Sequence, residues 1–174
     1  MSDKESLRRL ANRVHVAIHD IQQAVRLAKT FKAMRSVAAR PAAIYADEVD
    51  SALGMAAVVS YARPFVTSWS DGCADKCLKP KDIQLFDGHP QHQAEHDLVI
   101  QLRDEVVAHS DWKHRFSLEG VPERGAESVR DLVVFDTRRV LTNFHSLIDL
   151  TQHVQAQLVP LLMSLERKIR DQSN

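Results

Sequence analysis

An apolar side chain recurs at every third or fourth position from Leu7 to Phe31, and this pattern limits the fold more than any other feature of the chain. The spacing matches the turn of an α-helix and predicts one long helix over about 3–35. Ser2 and Glu5 fit the two ends of a capping box at its start. Such a helix has one apolar face, which other helices must cover if it is to be stable in water.

Three further segments have the same periodicity and can supply those partners. We predict a second helix over about 41–61, a third over about 90–108 and a fourth from about 137 onward. Pro160 lies inside the fourth helix, where it removes one backbone donor, so we expect a kink near Gln157. The chain has only five glycines and six prolines, which disfavours an all-β fold with many turns.

The connections between these helices differ in length. Residues 64–89 carry several turn signals and predict a long irregular connection between the second and third helices. Before the fourth helix two interpretations stay open, since 116–119 and 131–135 can pair as a small β-hairpin, or 131–135 can begin the helix. The sequence therefore predicts one all-α domain over 1–174, an up-and-down bundle of four principal helices.

Charge and composition restrict the partners of the chain. Lys plus Arg and Asp plus Glu each number 23, so the protein has no overall basic field to attract nucleic acid. Any contact with RNA must use a local patch or a surface made by two chains. The N-terminus is polar, no apolar run approaches the length of a membrane span, and two cysteines do not make a disulfide framework. We expect a cytoplasmic protein with no membrane partner and no cofactor.

Residue types suited to catalysis are concentrated in the segment 102–111, where Arg103, Asp104 and His109 follow one another near the end of the third helix. Arginine can bind phosphoryl oxygens, and imidazole can transfer protons near neutral pH. Six residues turn a helix through about 600°, which puts Arg103 and His109 about 120° apart. They can converge if the helix ends at about Ala108, or if two copies of the segment form a groove in a symmetric dimer.

The same residues also admit a purely structural interpretation. His109 follows Leu102 and Val106 on the apolar face, where it can be a core histidine bonded to an acid such as Asp111. An arginine followed by an aspartate is common on solvated helix faces. Residue types alone leave both interpretations open.

The string 102–111 resembles a motif of the HEPN superfamily (higher eukaryotes and prokaryotes nucleotide-binding), an arginine, a polar residue and, after a short gap, a histidine. It is similar in particular to the signature of abortive-infection-like HEPN proteins, with Asp104 in place of the commoner asparagine. Beyond this string only the helical bundle layout agrees, with the motif on the third long helix. The resemblance implies a metal-independent endoribonuclease whose site lies at a homodimer interface, in a toxin or phage-defence setting with a possible antitoxin partner.

The resemblance also implies roles for individual residues. His109 would be general base or acid at the ribose 2′-hydroxyl and the leaving 5′-oxygen, Arg103 would stabilise charge on the phosphoryl group, and Asp104 would orient either of them. Three further residues are candidates for binding the RNA substrate: Arg63 as a second cationic group, His96 two helical turns before the motif, and Asp111 at its end.

Two other functions stay open at this level. One is a non-catalytic helical dimerisation or interaction module with the same fold. The other is a zinc-binding regulator, because His92 and His96 share a helix face and form a usable pair of metal ligands. Cys73 and Cys77 precede them, but their spacing is not the tight two-residue gap of common zinc sites. The leading interpretation uses no metal.

Overall fold

The computed structural model describes residues 3–36, 46–66, 77–110 and 144–172. Over these residues the protein forms four helices, which are α1 (Asp3–Ser36), α2 (Ala46–Ala62), α3 (Pro90–Ser110) and α4 (Phe144–Asp171). The prediction of an all-α fold with four principal helices is confirmed. The segments 116–119 and 131–135, for which a hairpin was one interpretation, lie outside the described residues.

Over the described residues the main helix contacts form a ring, in which each helix packs most closely against two neighbours. Helix α1 packs against α2 and α4, and α3 packs against the same two helices on the other side. The Gln172 side chain donates a hydrogen bond to Oδ2 of Asp3 at 3.4 Å, so the end of α4 lies beside the start of α1. These two helices therefore run antiparallel and form the long side of the bundle.

The apolar stripe predicted on α1 faces the centre of this ring. Four of its seven buried side chains are alanines, which lets the neighbouring helices approach closely. The buried members on α1 are Ala11, Val14, Ala17, Ile21, Ala24, Ala28 and Phe31. The main partners from α4 are Leu147, Leu150, Val154, Leu158 and Leu165.

Helix α2 ends at Ala62, just before the Arg63-Pro64 step, because the residue before a proline avoids the helical conformation. The Leu78 amide donates a hydrogen bond to the Pro64 carbonyl at 2.7 Å, which ties the later part of the connection to the end of α2. From there 77–89 forms a series of tight turns that bury Leu78, Leu85 and Phe86 in the bundle. The described part of the connection is thus irregular, as predicted, yet it contributes to the core.

The start of α3 depends on Gly88. Its φ of 76° lies in the left-handed region, which glycine adopts without the steric cost that a Cβ brings. The chain then turns so that His89 precedes the first residue of the helix, and its carbonyl accepts a hydrogen bond from Gln93 at 3.1 Å. His89 is therefore the last residue before α3, and its side chain is exposed.

Helix α4 is continuous through Pro160, which is exposed on its surface. The kink expected near Gln157 stays a prediction. Within the part of the chain that the structure describes, none of the helices is both long and apolar enough to cross a lipid bilayer.

Candidate functional site

The Arg103 side chain is largely covered, with 21% of its surface exposed, and it lies on α3 next to Asp104. Nη1 of Arg103 donates a hydrogen bond to Oδ1 of Asp104 at 2.9 Å. The carboxylate thus holds the guanidinium in one direction, and among the described residues Asp104 is the hydrogen-bond partner of Arg103. Because Asp104 is itself 61% exposed, the pair lies at the surface and contributes little to stability.

Helix α3 continues through the whole motif and ends at Ser110. Arg103 and His109 therefore lie on one uninterrupted helix, about 120° apart around its axis and about 9 Å apart along it. An early end of the helix at Ala108 does not bring them together. The structure describes the backbone of His109 but not its side chain, and Asp111 lies outside the described residues.

Arg63, the second cationic candidate, has a partner on another helix. Its Nη1 donates a hydrogen bond to Oδ1 of Asp20 at 2.8 Å. Asp20 is buried in the face of α1, whereas more than half of the arginine side chain is exposed. The pair joins α1 to the end of α2, so Arg63 has a clear structural role in the single chain.

His96, the substrate-binding candidate on α3, is buried among aromatic side chains. Its ring centroid lies 4.8 Å from that of Phe65, 5.0 Å from that of Phe86 and 5.8 Å from that of Tyr61. Nδ1 of His96 is 2.9 Å from the Tyr61 hydroxyl. Because a phenol is a much stronger acid than a neutral imidazole N–H, we assign the hydroxyl as donor and Nδ1 as acceptor.

Burial controls the protonation of both members of this pair. Removal from water lowers the pKa of His96 from 6.5 to about 4, and the nearby Asp97 carboxylate offsets only part of that effect. Burial, followed by the charges of Asp97 and Glu95, raises the pKa of Tyr61 well above its ordinary value. Both side chains are thus neutral at physiological pH, which suits a packed hydrogen bond between α2 and α3.

The structure also brings together three histidines that the sequence does not place side by side. These are His89 at the start of α3, His92 in its first turn and His153 on α4. Their ring centroids are 4.2 Å apart for His92 and His153, 4.5 Å for His89 and His153 and 5.7 Å for His89 and His92. One ring nitrogen from each residue lies within 4.8 Å of those of the other two. We call this group the histidine cluster.

His153 is oriented by the connection between α2 and α3. Its Nε2 lies 3.2 Å from the Leu85 carbonyl oxygen, and because a carbonyl can only accept, Nε2 carries the proton. The pKa of His153 is lowered by burial most of all, and the nearby His92 and His89 act in the same direction, whereas the Leu85 hydrogen bond opposes them. The ring is therefore neutral near pH 7, with the lone pair on Nδ1.

Sequence reasoning identified part of this group and missed the rest. It selected His92 as a metal ligand but paired it with His96, whose Nδ1 is occupied by Tyr61. The three-residue spacing of His89 and His92 is a usable signal, since it places two imidazoles close together at the start of α3. No local pattern points to His153, because only the packing of α4 against α3 brings it near. Of the cysteines, Cys77 is partly buried and Cys73 lies outside the described residues.

No family model, curated protein or solved structure matches the chain.

Proposed function

We propose that the protein is a HEPN-like, metal-independent endoribonuclease that acts as a homodimer in the cytoplasm, in a toxin or phage-defence role. The observation that carries the proposal is the burial and hydrogen bonding of the Arg103 side chain on the third helix of a four-helix bundle. Its side chain is mostly covered and is held by Asp104, six residues before His109 on the same helix. An arginine held in this way loses little entropy when it binds a phosphate.

In the proposed reaction the RNA supplies its own nucleophile. His109 takes the proton of a ribose 2′-hydroxyl, and the 2′-oxygen attacks the adjacent phosphorus. The bond from phosphorus to the 5′-oxygen breaks, and that oxygen takes a proton from an imidazolium. The products are a 2′,3′-cyclic phosphate and a 5′-hydroxyl end. Arg103 stabilises the charge that develops on the non-bridging oxygens, and Asp104 keeps the guanidinium directed towards them.

The geometry of α3 makes a second chain part of this proposal. Arg103 and His109 lie about 120° apart around one helix, so the proposal assigns them to one phosphate through two chains rather than one. Two copies of α3 related by a twofold axis can place Arg103 of one protomer near His109 of the other. The proposal rests on Arg103, Asp104 and His109, since Arg63 and His96 already have partners in the single chain.

The test is cleavage of RNA in EDTA by the purified protein and by two variants, His109→Ala and Arg103→Lys. We expect both to lose at least about 100-fold in rate, because lysine keeps the charge but not the planar fork. His19→Ala and Arg26→Lys on α1 are matched controls that should cleave like the unchanged protein. An RNA whose ribose at the cleaved position lacks the 2′-hydroxyl should resist cleavage. Equal rates for all five proteins, or no cleavage by any, contradict the proposal.

A non-catalytic interaction module is the second candidate, and one observation favours it. An apolar groove between α2, α3 and α4 is lined by Val58, Leu102 and Leu147, with Leu98 39% exposed at its edge. Val58, Leu102 and Leu147 are themselves buried, so a partner would place an apolar side chain in the groove and cover Leu98 at its edge. This candidate predicts no cleavage in EDTA, an intact fold by circular dichroism, and no effect of Arg103→Lys beyond stability.

A further inference from the structure

We propose that the histidine cluster is a binding site for one divalent transition-metal ion, with Zn²⁺ as the ion that fits best. His89, His92 and His153 supply three imidazole nitrogens from two helices and the turn that begins one of them. Imidazole is a preferred ligand of Zn²⁺, Ni²⁺ and Cu²⁺, whereas Mg²⁺ and Ca²⁺ require oxygen ligands. The site is separate from the proposed ribonuclease residues.

The spacing of the three nitrogens is close to what such an ion needs. A tetrahedral Zn²⁺ with bonds of about 2.0–2.1 Å holds its nitrogens about 3.3 Å apart. In the cluster they lie within 4.8 Å of one another, so small changes in side-chain torsion suffice to close the set. His89 is exposed and His92 and His153 are partly buried, so solvent and an incoming ion reach the cluster from one side.

The hydrogen bond to Leu85 is the second observation that points to a metal. Ligating histidines commonly donate their other ring N–H to a backbone carbonyl, which fixes both the tautomer and the ring orientation. Nε2 of His153 makes this bond at 3.2 Å, leaving Nδ1 as the nitrogen with a free lone pair. Leu85 is itself buried in the core, so its carbonyl is held in place.

Electrostatics favour an ion in the same place. The His92 and His153 rings are stacked at 4.2 Å, a distance at which two imidazolium charges repel each other. Because Nε2 of His153 carries the proton that is donated to Leu85, Nδ1 presents a lone pair, and a metal ion does not have to displace a proton from that nitrogen.

The coordination would be open rather than closed. The described residues supply three protein ligands, so a water molecule or an added ligand completes a tetrahedron, as in catalytic zinc sites. The cluster lies at the start of α3, about 17–21 Å from Arg103 along the helix axis. A bound ion therefore does not reach the phosphate-binding arginine, and metal binding and RNA cleavage can be tested independently.

The test uses full-length protein without a histidine tag, stripped with EDTA, dialysed, and titrated with Zn²⁺ by calorimetry and with Co²⁺ by visible absorption. We expect one ion per chain, a tetrahedral Co²⁺ spectrum and a rise in Tm with Zn²⁺. His92→Ala and His153→Ala should each weaken binding by at least about 100-fold. His153→Gln, which keeps more of the packed volume, should weaken it similarly.

Two controls make the assignment specific. The double variant His15→Ala/His19→Ala removes an exposed histidine pair on α1 whose rings are 5.0 Å apart, and it should bind Zn²⁺ like the unchanged protein. His96→Gln removes the histidine bonded to Tyr61 and should also leave affinity within about threefold. The proposal is overturned by an absence of stoichiometric binding, by unchanged affinity in His92→Ala and His153→Ala, or by loss of binding in either control.

Discussion

The hydroxyl of Tyr61 lies 2.9 Å from Nδ1 of His96, and this buried contact joins the last turn of α2 to the second turn of α3. Tyr61 is fully buried and His96 is 5% exposed, so neither group has water as an alternative partner. Phe65 and Phe86 enclose the imidazole from the two ends of the connection between those helices. The pair is thus the polar centre of an otherwise apolar region.

Replacing Tyr61 with phenylalanine should lower the free energy of unfolding by about 1–3 kcal/mol, because Nδ1 of His96 is left buried without a partner. Urea denaturation followed by circular dichroism measures the change. Adding His96→Leu removes the orphaned nitrogen, so the double variant should lose less than the sum of the two single losses. Strict additivity of the two changes would show that the hydrogen bond contributes nothing.

Stability should fall when the pH drops from about 6.5 to about 4. The pKa of His96 is about 4 in the folded chain and 6.5 when exposed, so unfolding takes up a proton between these values and acid favours the unfolded state. The contribution is fully present above pH 6.5, and up to about 3 kcal/mol is lost as the pH falls to 4. The pKa of His153 is also lowered and acts in the same direction.

His96→Gln isolates this effect, because glutamine can keep a hydrogen bond to Tyr61 but does not titrate. Urea denaturation at a series of pH values should give a flatter curve for the variant than for the unchanged protein. Curves that run parallel from pH 7 to pH 4 would refute the assignment of this pH dependence to His96.

The pair of Asp20 and Arg63 should couple α1 to α2. Arg63→Gln should cost about 1 kcal/mol, because it leaves a buried carboxylate with a weaker partner at a site where the arginine is partly exposed. Asp20→Asn should cost a similar amount, and a double-mutant cycle should give a coupling energy of at least about 0.5 kcal/mol. If Arg63 instead served only to bind RNA, Arg63→Gln would weaken binding and leave stability unchanged.

Close packing of α1 should make its small residues intolerant of larger ones. Ala24 is fully buried in the core, so Ala24→Leu should destabilise the protein by about 1–3 kcal/mol through overpacking. Met34 on the same helix is 40% exposed, and Met34→Leu should change stability by less than about 0.5 kcal/mol. Thermal unfolding of the two variants compares them directly; equal Tm values would mean that α1 does not pack as described.

The helices were predictable because their evidence is local. The apolar stripe from Leu7 to Phe31 requires a long amphipathic helix whatever its partners are, and α1 spans Asp3–Ser36. Pro64 marks the end of α2 through a steric effect on the preceding residue. The burial of Ala17, Val14 and Ile21 follows from the same periodicity.

The candidate sites, in contrast, were only partly predictable from the sequence. The Arg103 to His109 string is visible in the sequence, and helix geometry alone gives the angle between the two residues. Only the folded chain shows, however, that α3 continues to Ser110. Because the helix does not end at Ala108, an early helix end cannot bring the two residues of one chain together. The sequence also places His92 and His96 on one face but does not indicate that Tyr61 binds the second of them.

Periodicity and turn chemistry thus determine the all-α class and the approximate helix bounds, and they point to the residues proposed to act on phosphate, since each depends on neighbours within one or two helical turns. Tertiary packing decides which distant side chains meet. It sets His153 against His89 and His92, directs the Leu85 carbonyl at its ring, and buries His96 so that its pKa falls to about 4. These properties depend on contacts between separate helices and on removal from water, neither of which a local sequence pattern contains.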